Sequence, residues 1–538
     1  MKAQAENAIT KRINLLVFAI SLIPFLLYIY IVVQRITFPF DIEWAEGAAV
    51  NQVNQILSGK ALYGKPTINF APLVYTPFYY YVSAAVALVT KNALFSLRFI
   101  SVVSSFGSAA VIYWLVKRET GSSFAGWLSG VLFLACFELS NGFYDLARVD
   151  SFYILITLLI LVVIITSKRK IGLAASGILF AIAFFTKQSA LIVFFPLVIS
   201  SILFDFKRIW PFLVTAVFGI GVPMLFLNTT SNGWFGYYIF LLPKEHGYSI
   251  VDAVNFWVGD ILRPLGITAG FLILKFLPKT IMHRKDDSQG KNGVTKDKDM
   301  DLIPEKININ IFKGNNIYLL FVIGAFLAAW ITRSSNGGGS NNSMSAYAAM
   351  AIIFGLGYDL ALRKLRVASL DKIMPYVYIS TLVVIQFVGL TYNPFNYIPT
   401  KADRAANLML IELIGESPGE VLIPYRSHLP GLVNKETHIH VVNLFEITGY
   451  FQGETQVEGE EIINQIRRGI CEQEYAVIVL DQPLPWFGEQ IAEAYNLEPE
   501  AKLEVLGLGS REMSWQNGLN NIYRPDENWN TESCYETY

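Results

Sequence analysis

The sequence predicts an α-helical multi-span membrane protein of about eleven transmembrane helices, followed by a small C-terminal α/β domain outside the cytoplasm. Three observations carry that reading. The 538 residues are 53% hydrophobic and only 16% charged. The apolar residues recur in blocks of about 20, the length an α-helix needs to cross ~30 Å of hydrocarbon. The pattern then changes near residue 391, and residues 401–538 hold 23 acidic and 9 basic side chains against 20 and 33 before them. A basic membrane part, 1–390, is joined to an acidic domain, 391–538. Nucleic acid is not implied, because the basic residues sit in scattered short loops and form no stripe.

The first block follows Lys2 and Lys11-Arg12 and runs from 13 to 34, too long for a signal peptide and without a small-residue cleavage site. It reads as an uncleaved first span. Further spans fall at 94–116, 123–140, 151–167, 171–187, 189–204, 209–227, 256–276, 317–332, 344–362 and 372–390. Short cytoplasmic loops are enriched in Lys and Arg. Lys117-Arg118, Lys168-Arg169-Lys170, Lys207-Arg208, the polar stretch 279–306 and Arg363-Lys364-Leu365-Arg366 occupy alternate loops. They therefore lie inside with the N-terminus, and 35–93, 141–150, 228–255, 333–343 and the tail lie outside. That order requires 72–90, although apolar, to lie in the outer interface as a Tyr- and Pro-rich helix, where aromatic rings are favoured. Residues 283–306 are hydrophilic and read as a disordered cytoplasmic insert.

In the tail, the runs from Val421, from His438 and from Tyr475 to Asp481 read as short buried strands, and Glu460 to Gly469 and Glu489 to Asn496 as helices. Alternation of the two predicts an α/β domain. Three cysteines fit no metal or redox spacing. Cys136 reads as packing, and Cys471 and Cys534 as a pair able to form a disulfide in an oxidising compartment.

Charge in a bilayer is costly, about 2.5–3.5 kcal/mol per group at a helix centre. Here the polar residues of the spans gather at the outer ends: Arg98, Glu138, Asp150, Lys187, Asp260, Arg263 and Arg333. They share that level with Asp41, Glu43 and Glu46 in Phe38-Pro39-Phe40-Asp41-Ile42-Glu43-Trp44-Ala45-Glu46-Gly47. A transporter would place charge near the midplane, on broken helices in repeated halves. A carboxylate at this interface can take a proton from an acceptor hydroxyl, and Arg or Lys beside it can hold a lipid-linked phosphate. Taken singly, each of Arg98, Arg263 and Lys187 is better explained by snorkelling to headgroups. The Gly337-Gly338-Gly339 run follows no strand and lacks the spacing of a phosphate-binding loop.

The acidic first outer loop, Leu62-Tyr63 and Val74-Tyr75-Thr76-Pro77-Phe78-Tyr79-Tyr80-Tyr81 together resemble membrane glycosyltransferases of the GT-C class. The likeness is to bacterial enzymes related to protein O-mannosyltransferases and to the aminoarabinose transferase of lipid A. Asp145-Leu146-Ala147-Arg148-Val149-Asp150, Phe185-Thr186-Lys187-Gln188 and Arg333-Ser334-Ser335-Asn336 with Asn341-Asn342 agree in order and side, so the likeness covers about 10–390. It implies an inverting transferase at the outer face of a bacterial cytoplasmic membrane, moving a sugar from a polyprenyl-phosphate donor to a lipid, glycan or protein acceptor. The catalytic acid maps onto Asp41. Relatives commonly carry adjacent Asp-Glu, whereas this chain has Asp41-Ile42-Glu43, so Glu43 stays open as the base. Asp150 matches the second-loop acid and would orient the acceptor or share a divalent metal, Mg or Mn, with Asp41. Metal dependence itself stays open. Lys65, Arg98, Lys187 and Arg333 are the implied phosphate holders. Glu46, Tyr75, Asp145, Arg148, His246, Asn336 and Asn341 are further substrate-site candidates, with Lys244 beside His246. A lipid-linked oligosaccharide ligase or polymerase, a polysaccharide or lipid transporter, and a non-catalytic envelope partner remain as alternatives.

Overall fold

The computed structural model describes residues 2–276, 315–368, 373–450, 457–498 and 521–530. The insert expected at 283–306 and Cys534 lie outside them. Helix α1 (Lys2–Arg35) leads into a loop and two short helices, α2 (Glu46–Leu57) and α3 (Phe78–Thr90). The expected interfacial segment 72–90 thus forms a helix of 13 residues, about 20 Å long and too short to cross. Helix α2 was not anticipated, because its apolar residues alternate with Asn51, Gln52, Asn54 and Gln55. Then follow α4 (Ala93–Thr120), α5 (Ser123–Ala135), α6 (Asp150–Thr166), α7 (Lys170–Thr186) and α8 (Ala190–Thr230). The membrane part closes with α9 (Ile250–Phe276), α10 (Asn315–Arg333), α11 (Met344–Ala368) and α12 (Met374–Val388). Local chemistry sets these ends. Asn92 and Ser122 cap α4 and α5 by accepting from the N–H of Phe95 and Ala125, and Gly121 takes the left-handed conformation (φ 74°) that stops α4.

Among the described residues seven helices are long and apolar enough to cross a membrane, α5 being counted with its continuation to Ser140. The sequence count of eleven exceeds that for two reasons. Helices α6, α7 and α12 have 15 to 17 residues, and α8 is one 41-residue element where two spans were expected. Asp205 inside α8 is non-helical (φ −147°, ψ 46°), and the two arms fold back there. Phe180 of α7 packs on Phe194 of the first arm and Phe212 of the second, at ring separations of 5.5 and 5.4 Å. Helix α11 is the central helix: 89% of its apolar window is buried, and Ala346, Ala348, Ala349 and Ala351 admit neighbours closely. Gly324 of α10 shows how tight such contacts are, since a Cβ there would lie 1.8 Å from the Val193 carbonyl oxygen of α8. Gly324→Ala is expected to cost about 1–3 kcal/mol, read as a lower thermal midpoint in detergent. An unchanged midpoint would show that the two helices separate easily.

The tail forms a four-stranded sheet from β1 (Glu420–Leu422), β2 (Tyr475–Leu480), β3 (Tyr495–Leu497) and β4 (Asn521–Pro525), in the order β1-β2-β4-β3. Strands β1 and β2 are parallel and the other pairs antiparallel. The helices Val457–Cys471 and Gly488–Ala494 match expectation. The run from His438 does not. Ile439 donates its N–H to the Ile68 carbonyl of the loop between α2 and α3 (2.7 Å), and His440 caps the helix Val441–Ile447. Apolar alternation there serves docking onto the membrane part. Cys471 is disulfide-bonded and Cys136 is a buried free thiol.

Candidate active site

Glu46, the first residue of α2, organises the loop between α1 and α2. Its fully buried carboxylate receives a two-point fork from Arg98, Nε to Oε1 at 2.8 Å and Nη2 to Oε2 at 2.6 Å. The backbone N–H groups of Ile42 (2.7 Å) and Ala147 (2.8 Å) donate to it as well. Arg98 directs its other N–H groups to the carbonyls of Arg35, Phe38 and Phe40. One ion pair therefore ties the end of α1, the loop, α2, α4 and the loop before α6. Burial alone would raise the Glu46 carboxyl, but the Arg98 charge and these donors outweigh it and hold it at about 2. Arg98, expected as a phosphate holder, has every guanidinium N–H engaged and none left for a phosphate. Its work is to fix the loop.

The other two loop acids face different neighbours. Glu43 accepts from the Ala45 N–H (3.2 Å) and pairs with Arg148 Nη1 (3.3 Å). Burial pushes its carboxyl up to about 7, against the pull of Arg148. Asp41 turns to the C-terminal domain. Arg426 Nη1 lies 3.4 Å from both Asp41 oxygens, and His428 Nε2 lies 3.8 Å from one of them. Asp481 shares Arg426 at 3.6 Å. Burial lowers the His428 pKa and keeps the ring neutral. Sequence reasoning missed Arg426 and His428. They stand 385 and more positions from Asp41, in a domain whose packing no local pattern reveals.

Behind Glu43, the ends of three membrane helices meet. Asp150 opens α6, and its oxygens accept from Lys187 Nζ (2.7 Å) and Asn341 Nδ2 (3.0 Å). Lys187, just past α7, also donates to Asn342 Oδ1 (2.9 Å) and lies 6.0 Å from the ring centroids of Tyr75 and Tyr153. Asp150, Tyr153, Lys187, Asn341 and Asn342, with Thr332 and Ser345, line a small cavity of about 10 Å³, room for about one water molecule. Arg148 lies in the electrostatic reach of both Glu43 and Asp150, so the two groups form one chain of charge. Asp145 pairs instead with Arg35 at 3.1 Å, in the electrostatic reach of the Glu46–Arg98 pair.

The remaining candidates stand elsewhere. Lys65 pairs with Glu461 at 2.8 Å on an open surface, each about half exposed, and is not placed to hold a phosphate in this site. Lys65→Ala is expected to change stability by less than about 1 kcal/mol, with lipid-phosphate turnover unchanged. A large loss of turnover would restore the phosphate role. Arg333 is held between Asp252 (2.8 Å) and Asp260 (3.2 Å). Two carboxylates on one guanidinium leave the group net negative, which disfavours a phosphate there. His246 meets Glu446 of the C-terminal domain at 2.7 Å, a docking contact. Asn336 is exposed, and its backbone N–H donates to the Gly247 carbonyl (2.8 Å). Among the described residues no group of three or more His, Cys, Asp or Glu is arranged to hold a metal ion. Asp41 and Asp150, the expected metal pair, are each already engaged by a cation, so their present setting does not fit one.

Arg35, Asp41, Glu43, Glu46, Arg98, Asp145, Asp150 and Lys187 are the buried charged side chains among the described residues before 391. All of them lie in the loops or at the helix ends of one side. The helical scaffold has known counterparts. Residues 74–226 match the family described as dolichyl-phosphate-mannose-protein mannosyltransferase. ArnT from Cupriavidus metallidurans bound to undecaprenyl phosphate superposes with a TM-score of 0.59 at 11% identity, over 96% of this chain and 98% of that one. Its apo state gives 0.58 at 11% identity, over 97% and 98%. No curated protein sequence matches the chain. The fold is that of the GT-C membrane glycosyltransferases. Within that fold, residues 74–226 are similar to the mannosyltransferase family.

Proposed function

We propose that this protein is an inverting glycosyltransferase that moves a sugar from a polyprenyl-phosphate donor to an acceptor hydroxyl or amine at the outer face of a membrane. The observation that carries the reading is the buried chain Glu43–Arg148–Asp150–Lys187 where the outer loop meets α6 and α7. The undecaprenyl phosphate held by ArnT, a protein of the same fold, supports the donor class.

In this proposal Glu43 is the general base. A base works best with a pKa near the working pH, and Glu43 is raised to that range while Glu46 is held at about 2. Glu43 removes the acceptor proton, and the acceptor oxygen or nitrogen bonds to the anomeric carbon. The bond from that carbon to the phosphate oxygen breaks, and polyprenyl phosphate departs with the electron pair. Arg148 and Lys187 stabilise the growing phosphate charge in a site walled from water. Asp150 and Asn342 fix the Lys187 ammonium for that task. Asp41, held by Arg426, instead couples the loop to the outer domain.

Purified protein given polyprenyl-phosphate sugars tests the phosphate role through Lys187→Met. The expected result is a fall in donor turnover on the order of 10²-fold, with the fold retained by thermal unfolding. Turnover equal to wild type would remove Lys187 from the donor site.

A further inference from the structure

The end of the bundle opposite the site holds a second concentration of charge. Helix α6 leaves the site at Asp150 and finishes at Thr166, and α7 begins at Lys170 and returns at Thr186. The turn between them carries Lys168, Arg169 and Lys170. The break at Asp205 folds α8 back, so Lys207 and Arg208 arrive beside that turn. The same five cations, with Asp205 and Leu173, line an open cleft of about 390 Å³.

A general excess of cations on one side of a membrane protein requires charge, but no concavity and no unspent charge. Four other cations at this end are committed: Lys117 to the Tyr113 ring, Arg118 to Glu119, Arg363 to Asp359 and Arg366 to the Tyr376 ring. In the cleft, Lys170 rests 5.5 Å from the Trp210 ring centroid, while Lys168, Arg169 and Lys207 form no ion pair among the described residues. Five cations face a single carboxylate. Apolar side chains that face outward flank them: Ile171, Leu203, Phe204, Phe206 and Trp210 are all exposed. Such a rim lies in hydrocarbon when the helices cross a bilayer, which sets the cleft at headgroup level. A ligand that satisfies both halves has a phosphate on an apolar chain.

We propose that this cleft binds the phosphate group of an anionic membrane lipid, on the side of the bilayer away from the candidate active site. Lys and Arg hold the phosphate oxygens by charge-assisted hydrogen bonds, and the exposed aromatic and aliphatic rim holds the chains.

The test uses the full chain, with phosphatidylglycerol and inorganic phosphate as probes and native mass spectrometry as readout. A triple variant, Lys168→Gln, Arg169→Gln and Lys207→Gln, is compared with Lys117→Gln, Lys364→Gln and Arg366→Gln, which removes equal charge from the same end but spares the cleft. Retained phosphatidylglycerol is expected to fall about tenfold in the first and to stay at the wild-type level in the second. Equal retention in both overturns the proposal. Inorganic phosphate that displaces the lipid at equal concentration overturns the lipid assignment in favour of a free phosphate compound. Where the first variant fails to fold, wild-type protein suffices: phosphatidylglycerol must shield Lys168, Lys170 and Lys207 from an amine-acylating reagent more than Lys364. Lack of shielding rejects the site.

Discussion

Arg98→Leu is expected to destabilise the protein by about 3–5 kcal/mol, the cost of leaving a buried charge without its partner. Leucine fills much of the space but supplies none of the donors, so Glu46 and three backbone carbonyls lose their contacts together. The Glu46 carboxyl points to the same size. Held at about 2 against an ordinary 4.5, it contributes about 3 kcal/mol at 1.36 kcal/mol per pK unit. The sign follows from the depressed value: this stability is present above pH 4.5 and is lost as pH falls toward 2. Thermal unfolding in detergent checks both statements. Arg98→Lys, which keeps the charge but not the fork, should fall between wild type and leucine. A leucine variant that melts with wild type would mean that the loop is held by something else.

The largest effect on chemistry is expected from Glu43→Gln. Loss of a positioned general base lowers turnover by about 10²–10⁴-fold, and glutamine keeps the shape and the contact with the Ala45 N–H. The fold should survive, because the variant removes a carboxyl that burial already disfavours in its charged form. The pH profile gives an independent readout. With its carboxyl near 7, Glu43 is the working carboxylate only above that value, so the wild-type rate should rise through pH 7 and flatten beyond it. The residual rate of the glutamine variant should lack that acid limb. Asp41→Asn should act differently, weakening the docking of the C-terminal domain through Arg426 while keeping the pH profile. A dead but folded Asp41→Asn beside an active Glu43→Gln would exchange the two roles.

Much of the arrangement is legible in the chain because a bilayer sorts charge by depth. Lys207-Arg208 marks the turn that splits α8, and it does so more clearly than helix length, since one non-helical residue, Asp205, suffices for the reversal. Asp150, Lys187 and Asn341 sit at span ends on one side, and they do meet. What pairs with what is not legible. Glu46 and Arg98 look like site residues by level and type, yet their fork closes on backbone carbonyls whose positions exist only after folding. Arg426 and His428 belong to a domain whose strands are three to six residues long, so nothing local says that it delivers them to Asp41. The run from His438 alternates like a strand, but its backbone partner is Ile68 in the loop between α2 and α3 and not a neighbouring strand.

The central claim is transfer from a lipid-linked phosphate sugar with Glu43 as base. It is met most directly by following free polyprenyl phosphate released by purified protein from a panel of polyprenyl-phosphate sugars, for wild type and Glu43→Gln. The account predicts release by wild type with at least one sugar and its near loss in the variant. Release at equal rates from both proteins, or none from folded wild type with any donor, would contradict it.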